Sequence, residues 1–483
     1  MNQTSTHNEA VSEKLKISEI LKFGIGGAGE NLSYNLFYMF FIFFLTTVAG
    51  IGPAIAGTIS LVAVMWDAIT DPLVGFWSDK FKGNKFGKRA AFIIGGAIPL
   101  GVSVFLLFCD LNLSQSVKTI YFLIINIAFW LFFTIVDIPY NTAAAEITSD
   151  YDTKTKLRTS LMFFASAGQL LISVGIFKFI DFMAEQGQSS VETWRIIGAA
   201  FGTLVIISFL VAGTLIRRRE LSSVSESFYD ETQKTSILSD VVKVFKNMIR
   251  LKQFLIIALM AFIFNINLGL VNSSLFFFFM FTLKLDYSQM AMINFWPIIL
   301  SLPLILSMGG IVVKVGKKSG MIVVFSVLFL SSVFFSFTTP GAVALVGILL
   351  AVVTAGATFW IIIYGMVYDT FSLYEYKFED RKDATILSII SFLTKAGVAI
   401  GMWLNGILLQ ILGVDPTAEV ITDSMAEALR VITGRIPMVV AIFLIVLSTL
   451  YKINKNNIQE VQRSIEMRRI GEIYSDESFK NIV

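Results

Sequence analysis

Cysteine and histidine are almost missing from these 483 residues: Cys109 and His7 are the single examples of each. One cysteine excludes an intrachain disulfide. With the one histidine in a polar N-terminal stretch, neither Cys/His metal chemistry nor a histidine proton relay is available. Charge is scarce too: 15% of residues are Asp, Glu, Lys or Arg, against about a quarter in soluble globular proteins. The net charge is only +3, and the basic residues gather between apolar runs instead of forming a stripe interleaved with aromatics, which excludes nucleic acid as a partner. Residues 1–20 lack the short apolar core and small-residue cleavage site of a signal peptide, so the first span itself is expected to direct insertion. No nucleotide-binding loop or nucleophile–base pair stands out. The chain therefore reads as a non-enzyme with no cofactor, no catalytic residue and no resident metal.

Apolar length is what the chain has in abundance. Hydrophobic residues make up 55% of it, with 45 Phe and 17 Met, and the mean hydropathy is +0.74. Stretches of roughly 20 apolar residues fall at 20–48, 53–79, 90–109, 117–147, 159–183, 194–216, 253–281, 287–313, 319–338, 341–369, 384–412 and 431–451. The expected fold is thus an all-α integral membrane protein with twelve transmembrane helices in two six-helix halves. Residues 1–19 form an N-terminal tail, 20–216 the first bundle, 217–252 a polar linker with room for a surface helix, 253–451 the second bundle and 452–483 a C-terminal tail. Most Lys and Arg lie in the tails and in loops after even-numbered spans, which places both termini and the linker in the cytoplasm and the protein in the plasma membrane.

An internal echo relates the halves. After the second span comes Gly75-Phe76-Trp77-Ser78-Asp79-Lys80 and then Gly87-Lys88-Arg89; after the eighth comes Gly310-Ile311-Val312-Val313-Lys314-Val315-Gly316-Lys317-Lys318. Both resemble the Gly- and Lys/Arg-rich loop of the major facilitator superfamily. In it a glycine allows close helix approach, and Asp79, Lys88 and Arg89 can cap helix ends and pair across a cytoplasmic closure. Paired repeats of this kind place substrate near the bilayer midplane, with one half rocking against the other.

Asp67 and Asp71 are the costliest residues in the chain for a membrane. A carboxylate at the centre of a spanning helix costs about 2.5–3.5 kcal/mol on insertion scales, and such groups face a bundle interior or a watery cavity. Spaced i and i+4, the two share one face of the second span. Two carboxylates so placed repel each other unless a cation joins them, a recipe for Na⁺, H⁺ or Li⁺. Asp137 lies in the fourth span beside Pro139, whose missing N–H frees a carbonyl, and Thr134 adds a hydroxyl one turn earlier. Glycines 24, 26, 27 and 29 let the first span approach its neighbours closely beside Glu30 and Asn31. Glu30 reads equally well as a structural salt-bridge partner. Asn265, Asn267 and Asn272 form a further polar cluster in the seventh span that interhelical hydrogen bonding explains equally well.

The run Trp66-Asp67-Ala68-Ile69-Thr70-Asp71-Pro72, followed by Lys85-Phe86-Gly87-Lys88-Arg89 and later Thr134-Ile135-Val136-Asp137-Ile138-Pro139, resembles the glycoside–pentoside–hexuronide:cation symporter family over about residues 20 to 450. The resemblance implies a major facilitator fold and sugar transport coupled to Na⁺ or H⁺. It implies Asp67 and Asp71 as cation carboxylates, with Thr134, Thr70 and Asp137 in the cation pocket. Asp137 is also implied as a substrate contact, joined by Asn31, Asn141, an aromatic at Trp360 and Lys395 near both sites. Asp369, Glu375 and Arg381 would complete the cytoplasmic gate. The chain departs from the family where Glu30-Asn31 replaces a Lys-Asp pair, Asn141 a tryptophan, Met162 an arginine (with Arg158 one turn earlier) and Thr70 an asparagine linked to sodium preference. The expected partners are a monovalent cation, a small solute such as a sugar or glycoside, and membrane lipid, for a monomeric carrier. A lysolipid or other amphiphile is the alternative cargo, and a non-transporting membrane sensor the alternative class.

Overall fold

The computed structural model describes residues 15–148, 151–222, 237–296, 299, 315–338, 342–380, 382–418 and 421–470. Apart from an isolated bridge between Asn84 and Gly87, the regular structure there is helical. In the first half, α1 (Ile17–Phe43, continued as a wide π turn Phe44–Val48), α2 (Pro53–Lys80), α3 (Arg89–Leu107) and α4 (Gln115–Glu146) are followed by α5. The last comprises Tyr151–Leu170, a π turn Leu171–Gly175 and Ile176–Glu185, and α6 spans Ser190–Ser222. A short helix, α7 (Ile237–Ile249), stands in the linker. The second half has α8 (Lys252–Phe277 with a π turn Phe278–Thr282), α9 (helical over 287–296), α10 (Lys317–Phe337), α11 (Ala342–Phe378) and α12 (Asp383–Ile411). It closes with α13 (Asp423–Arg430, π turn Val431–Arg435, Ile436–Leu450) and a terminal helix, α14 (Lys455–Arg469).

Ten of these helices are long and apolar enough to cross a membrane among the described residues. The expected eighth span falls largely outside those residues beyond 296. The tenth is present as the unbroken 37-residue α11. The first helix of each half ends in a π turn, α1 at Phe44–Val48 and α8 at Phe278–Thr282, a structural counterpart of the sequence echo.

Boundaries differ from the apolar reading where helix-forming polar residues extend a span. The twelfth span starts at Asp423, not 431, because Thr422 caps it by accepting from the Met425 N–H at 3.3 Å, and Met425, Ala428 and Leu429 are buried. The fifth extends back to Tyr151, and the sixth carries Arg217–Arg219 on to Ser222.

Glycine sets the packing of α1. A methyl group on Gly27 would lie 2.5 Å from the Leu161 carbonyl of α5, and one on Gly26 would lie 2.6 Å from the Tyr140 ring of α4. The helix therefore sinks against both neighbours, and Tyr140 gives its hydroxyl to the Phe23 carbonyl at 2.7 Å.

The halves meet through α2 on α12 and α1 on α8. A Cβ on Gly57 would be 3.0 Å from the Trp403 carbonyl, and Gly406 abuts Pro53. Beside that crossing Phe43 meets Phe276 with ring centroids 4.0 Å apart, and Phe177 stacks on Phe276 at 5.5 Å. These contacts seal the end opposite the Lys/Arg-rich loops. The seal is built of apolar rings and backbone.

Candidate functional site

Asp67 and Asp71 lie on the α2 face that meets α4 and α12. The Thr134 hydroxyl of α4 has one proton and three acceptors around it: Asp67 Oδ1 at 2.5 Å, Asp71 Oδ1 at 3.1 Å and its own helix's Trp130 carbonyl at 3.0 Å. From α12, Lys395 Nζ donates to Asp67 Oδ2 at 2.7 Å and also to Asp71 Oδ2. The Asp67 side chain is fully buried, while Asp71 and Lys395 each keep 22% of their side-chain surface accessible. The result is an oxygen-rich pocket holding an ammonium: five oxygens of a carboxylate pair and a hydroxyl, chemistry suited to a hard monovalent cation. Pro72 inside α2 and Pro139 inside α4 each leave a carbonyl of the preceding turn without its helical N–H.

A second group lies alongside. Asn141 Nδ2 donates to Asp137 Oδ1 at 2.9 Å, and Asn141 Oδ1 accepts from the Arg158 guanidinium at 3.1 Å. Glu30 lies alongside, within reach of the Arg158 charge. The charges of Glu30, Lys395, Asp71 and Asp67 all reach Asp137. Glu30 Oε2 and Asn31 Oδ1 are buried without a hydrogen-bond partner. The cluster thus joins α1, α4, α5 and α12.

Most of the expected positions converge, with one correction. Thr70 turns its hydroxyl to the Asp67 main-chain carbonyl at 3.1 Å, as a buried helix threonine does when its own turn offers the nearest acceptor, so it does not join the carboxylate oxygens. Lys395, implied near both sites, sits on the cation carboxylates themselves. Trp360 stacks on Tyr364 (centroids 6.0 Å, 27°) and meets Phe359 edge-on at 5.3 Å along α11.

Of the expected gate residues, Lys88, Arg89 and Asp369 each make contacts within their own half. Arg89 forks onto Glu146 at 3.1 and 2.7 Å and reaches Ser78 at 2.9 Å. Glu220 of α6 accepts the main-chain N–H groups of Lys88 at 2.8 Å and Arg89 at 2.7 Å. In the second half Asp369 accepts Lys317 Nζ at 2.7 Å and the Tyr451 hydroxyl at 3.1 Å. Glu375 is half-buried six residues further along α11. Arg381 and the Asp79 side chain lie outside the described residues, as does the second echo loop up to Lys314. Lys317 and Glu220 escaped the sequence reading. Lys317 belonged to the echoed loop, which was the signal for it; nothing local marks Glu220. Tyr34 was missed as well, one turn beyond Asn31 and within reach of the Lys395, Asp67 and Asp137 charges. In the seventh span Asn265 is buried and donates to the Ala261 carbonyl at 2.7 Å.

Comparison with known proteins identifies the family and the fold. A family model described as MFS/sugar transport protein matches residues 22–455. The uncharacterized symporter YjmB of Bacillus subtilis is 26% identical over 481 residues, covering 96% of this chain and all of the relative. The putative glycoside/cation symporter YagG of Escherichia coli is 31% identical over 160 residues, covering 33% of this chain and 35% of the relative. Among solved structures, a bacterial homolog of the human lysosomal transporter Spinster, inward-facing and unoccupied, is 12% identical with a TM-score of 0.65, covering 90% of this chain and 95% of that one. The E. coli xylose transporter XylE, inward open, is 15% identical with a TM-score of 0.57 over 88% of this chain and 95% of that one. At such identities the structures speak for the fold alone. With one family model spanning residues 22–455 and symporters among its relatives, the chain belongs to the MFS/sugar transport protein family, in its glycoside–pentoside–hexuronide:cation symporter branch.

Proposed function

We propose that this protein is a secondary active transporter that carries a sugar or glycoside together with Na⁺ or H⁺ by alternating access. It works as a monomer in the plasma membrane with both termini in the cytoplasm. The reading rests above all on the Lys395 ammonium lying between Asp67 and Asp71 with the Thr134 hydroxyl beside them. Two carboxylates and one ammonium leave that trio with a net charge of −1. One monovalent cation makes it neutral, and a neutral cluster crosses a low-dielectric seal far more easily than a charged one.

A cation arriving among Asp67, Asp71 and Thr134 competes with Lys395 for the same oxygens. The displaced ammonium then becomes a free donor for solute hydroxyls, to which Asn31 and Asn141 can donate or accept and the Asp137 carboxylate can accept hydrogen bonds. Ion and solute thereby favour each other's binding, by the same factor in both directions. The sealed end lies opposite the basic loops, which on this reading makes it the outer face of the carrier.

The test is uptake by proteoliposomes under an imposed Na⁺ or proton gradient across a panel of sugars and glycosides. Accumulation is expected with one gradient and is lost in Asp67→Asn and Asp71→Asn while both variants insert normally. Retained accumulation in both variants defeats the reading. A non-sugar solute is the second reading, favoured by Met162, 56% exposed where the resemblance implies a sugar-gripping arginine; a lysolipid belongs in the same panel.

A further inference from the structure

We propose that α7, the helix in the linker between the halves, is a binding surface for anionic phospholipid. The helix divides into three stripes. Val244 and Met248, with Leu251 just beyond, are buried against the second bundle, and Asn247 reaches the Tyr374 hydroxyl at 3.3 Å. That face fixes the helix to the protein. Phe245 and Ile249, one turn apart on the next face, are 41% and 43% exposed, and the sequence continues their spacing at Leu238 and Val242. The third face carries Lys243 and Lys246, with Arg250 just past the helix end, all exposed.

Position decides what covers the apolar stripe. Ile249 is followed within three residues by Lys252, the first residue of the spanning helix α8, and the preceding span α6 carries Arg217, Arg218 and Arg219 close to its C-terminal end at Ser222. A helix tied that closely to the end of a membrane crossing lies at the level of the headgroups. There an outward apolar stripe inserts among acyl chains, and an adjoining row of cations meets phosphate. An apolar face alone would accept any lipid. The row of Lys243, Lys246 and Arg250 beside it selects a negative headgroup, and the two rows together select an amphiphile over free phosphate. This surface is separate from the Asp67–Lys395 cluster and does not depend on which solute is carried.

The experiment uses the full-length carrier. Native mass spectrometry of the purified protein mixed with equal phosphatidylglycerol and phosphatidylcholine is expected to show preferential retention of phosphatidylglycerol. In the triple variant Lys243→Gln, Lys246→Gln, Arg250→Gln the preference is expected to fall by about tenfold, with the melting temperature unchanged. Equal retention of the two lipids by the unaltered protein overturns the proposal. So does an unchanged preference in the variant, or complete displacement by inorganic phosphate. Should the triple variant fail to fold, Phe245→Cys in a Cys109→Ala background, carrying an environment-sensitive fluorophore in nanodiscs, decides the matter. Quenching by nitroxide-labelled phosphatidylglycerol beyond that by labelled phosphatidylcholine supports the site. Equal quenching by the two, or a label accessible to aqueous iodide, removes it.

Discussion

Lys395 and Asp67 are 328 residues apart in the chain, and their charged atoms lie 2.7 Å apart. The ion pair ties the second half of the protein to the first at the depth where each half would otherwise hold an unpaired charge. Either group alone would be costly to bury. Removing one partner of a buried pair costs about 3–5 kcal/mol, because the other charge is left without compensation.

That cost makes Lys395→Met an informative variant. Without the ammonium, Asp67 and Asp71 face each other across Thr134, and the protein is expected to melt at lower temperature in choline chloride, with stability regained in NaCl or at acid pH. Melting curves across these salts and pH values provide the check; a curve indifferent to both would deny that the carboxylates hold an exchangeable cation.

The Thr134 hydroxyl touches both carboxylates. Thr134→Val keeps the shape and removes the oxygen, and a hydrogen bond to a charged group is worth about 1.5–3 kcal/mol. Cation affinity should fall by about tenfold or more, and Thr134→Ser should restore most of it. Isothermal titration with the coupling ion would reveal whether the hydroxyl matters.

Gly406 and Gly57 allow α12 and α2 to touch where the halves close. Gly406→Val places a branched side chain against Pro53 and should hold that end apart. In a Cys109→Ser background a cysteine at Ser60, buried three residues from Gly57, should then react with an impermeant thiol reagent added outside. Labelling no faster than with glycine at 406 would show that the seal tolerates the added volume.

Glu220 holds the start of α3 by accepting the main-chain N–H groups of Lys88 and Arg89, and its carboxylate crowds Gly87, whose φ is +98°. Glu220→Gln keeps the size and loses the charge. A loss of about 1–3 kcal/mol in the first bundle is expected, measurable by denaturant unfolding, with Glu220→Ala costing more. Equal stability of all three proteins would remove Glu220 from the latch.

Much of this architecture was legible along the chain. Apolar runs about as long as a bilayer is thick predict spanning helices, and the spans matched wherever the described residues allow. The glycine run 24, 26, 27 and 29 predicted the close approach of α1, and the i, i+4 spacing of Asp67 and Asp71 predicted a shared face. Hydropathy missed the polar starts of α5 and α13, since capping and helix propensity extend a helix without adding apolar residues. It could not show that Thr70 bonds its own backbone, because a buried threonine's choice of acceptor depends on which oxygen lies nearest.

By itself, then, the sequence determined that this is a helical membrane protein built from two related halves, and that carboxylates stand within its crossings. These properties follow from local pattern: the length of apolar runs, the period of a helix and the cost of charge in lipid act on residues close together in the chain. Only the tertiary structure decided that Lys395 closes onto Asp67 and Asp71, that Arg89 and Lys317 pair within their own halves, and which end of the molecule is shut. Each of those depends on how far one rigid helix is shifted against another. Residues hundreds of positions apart carry no local record of that displacement.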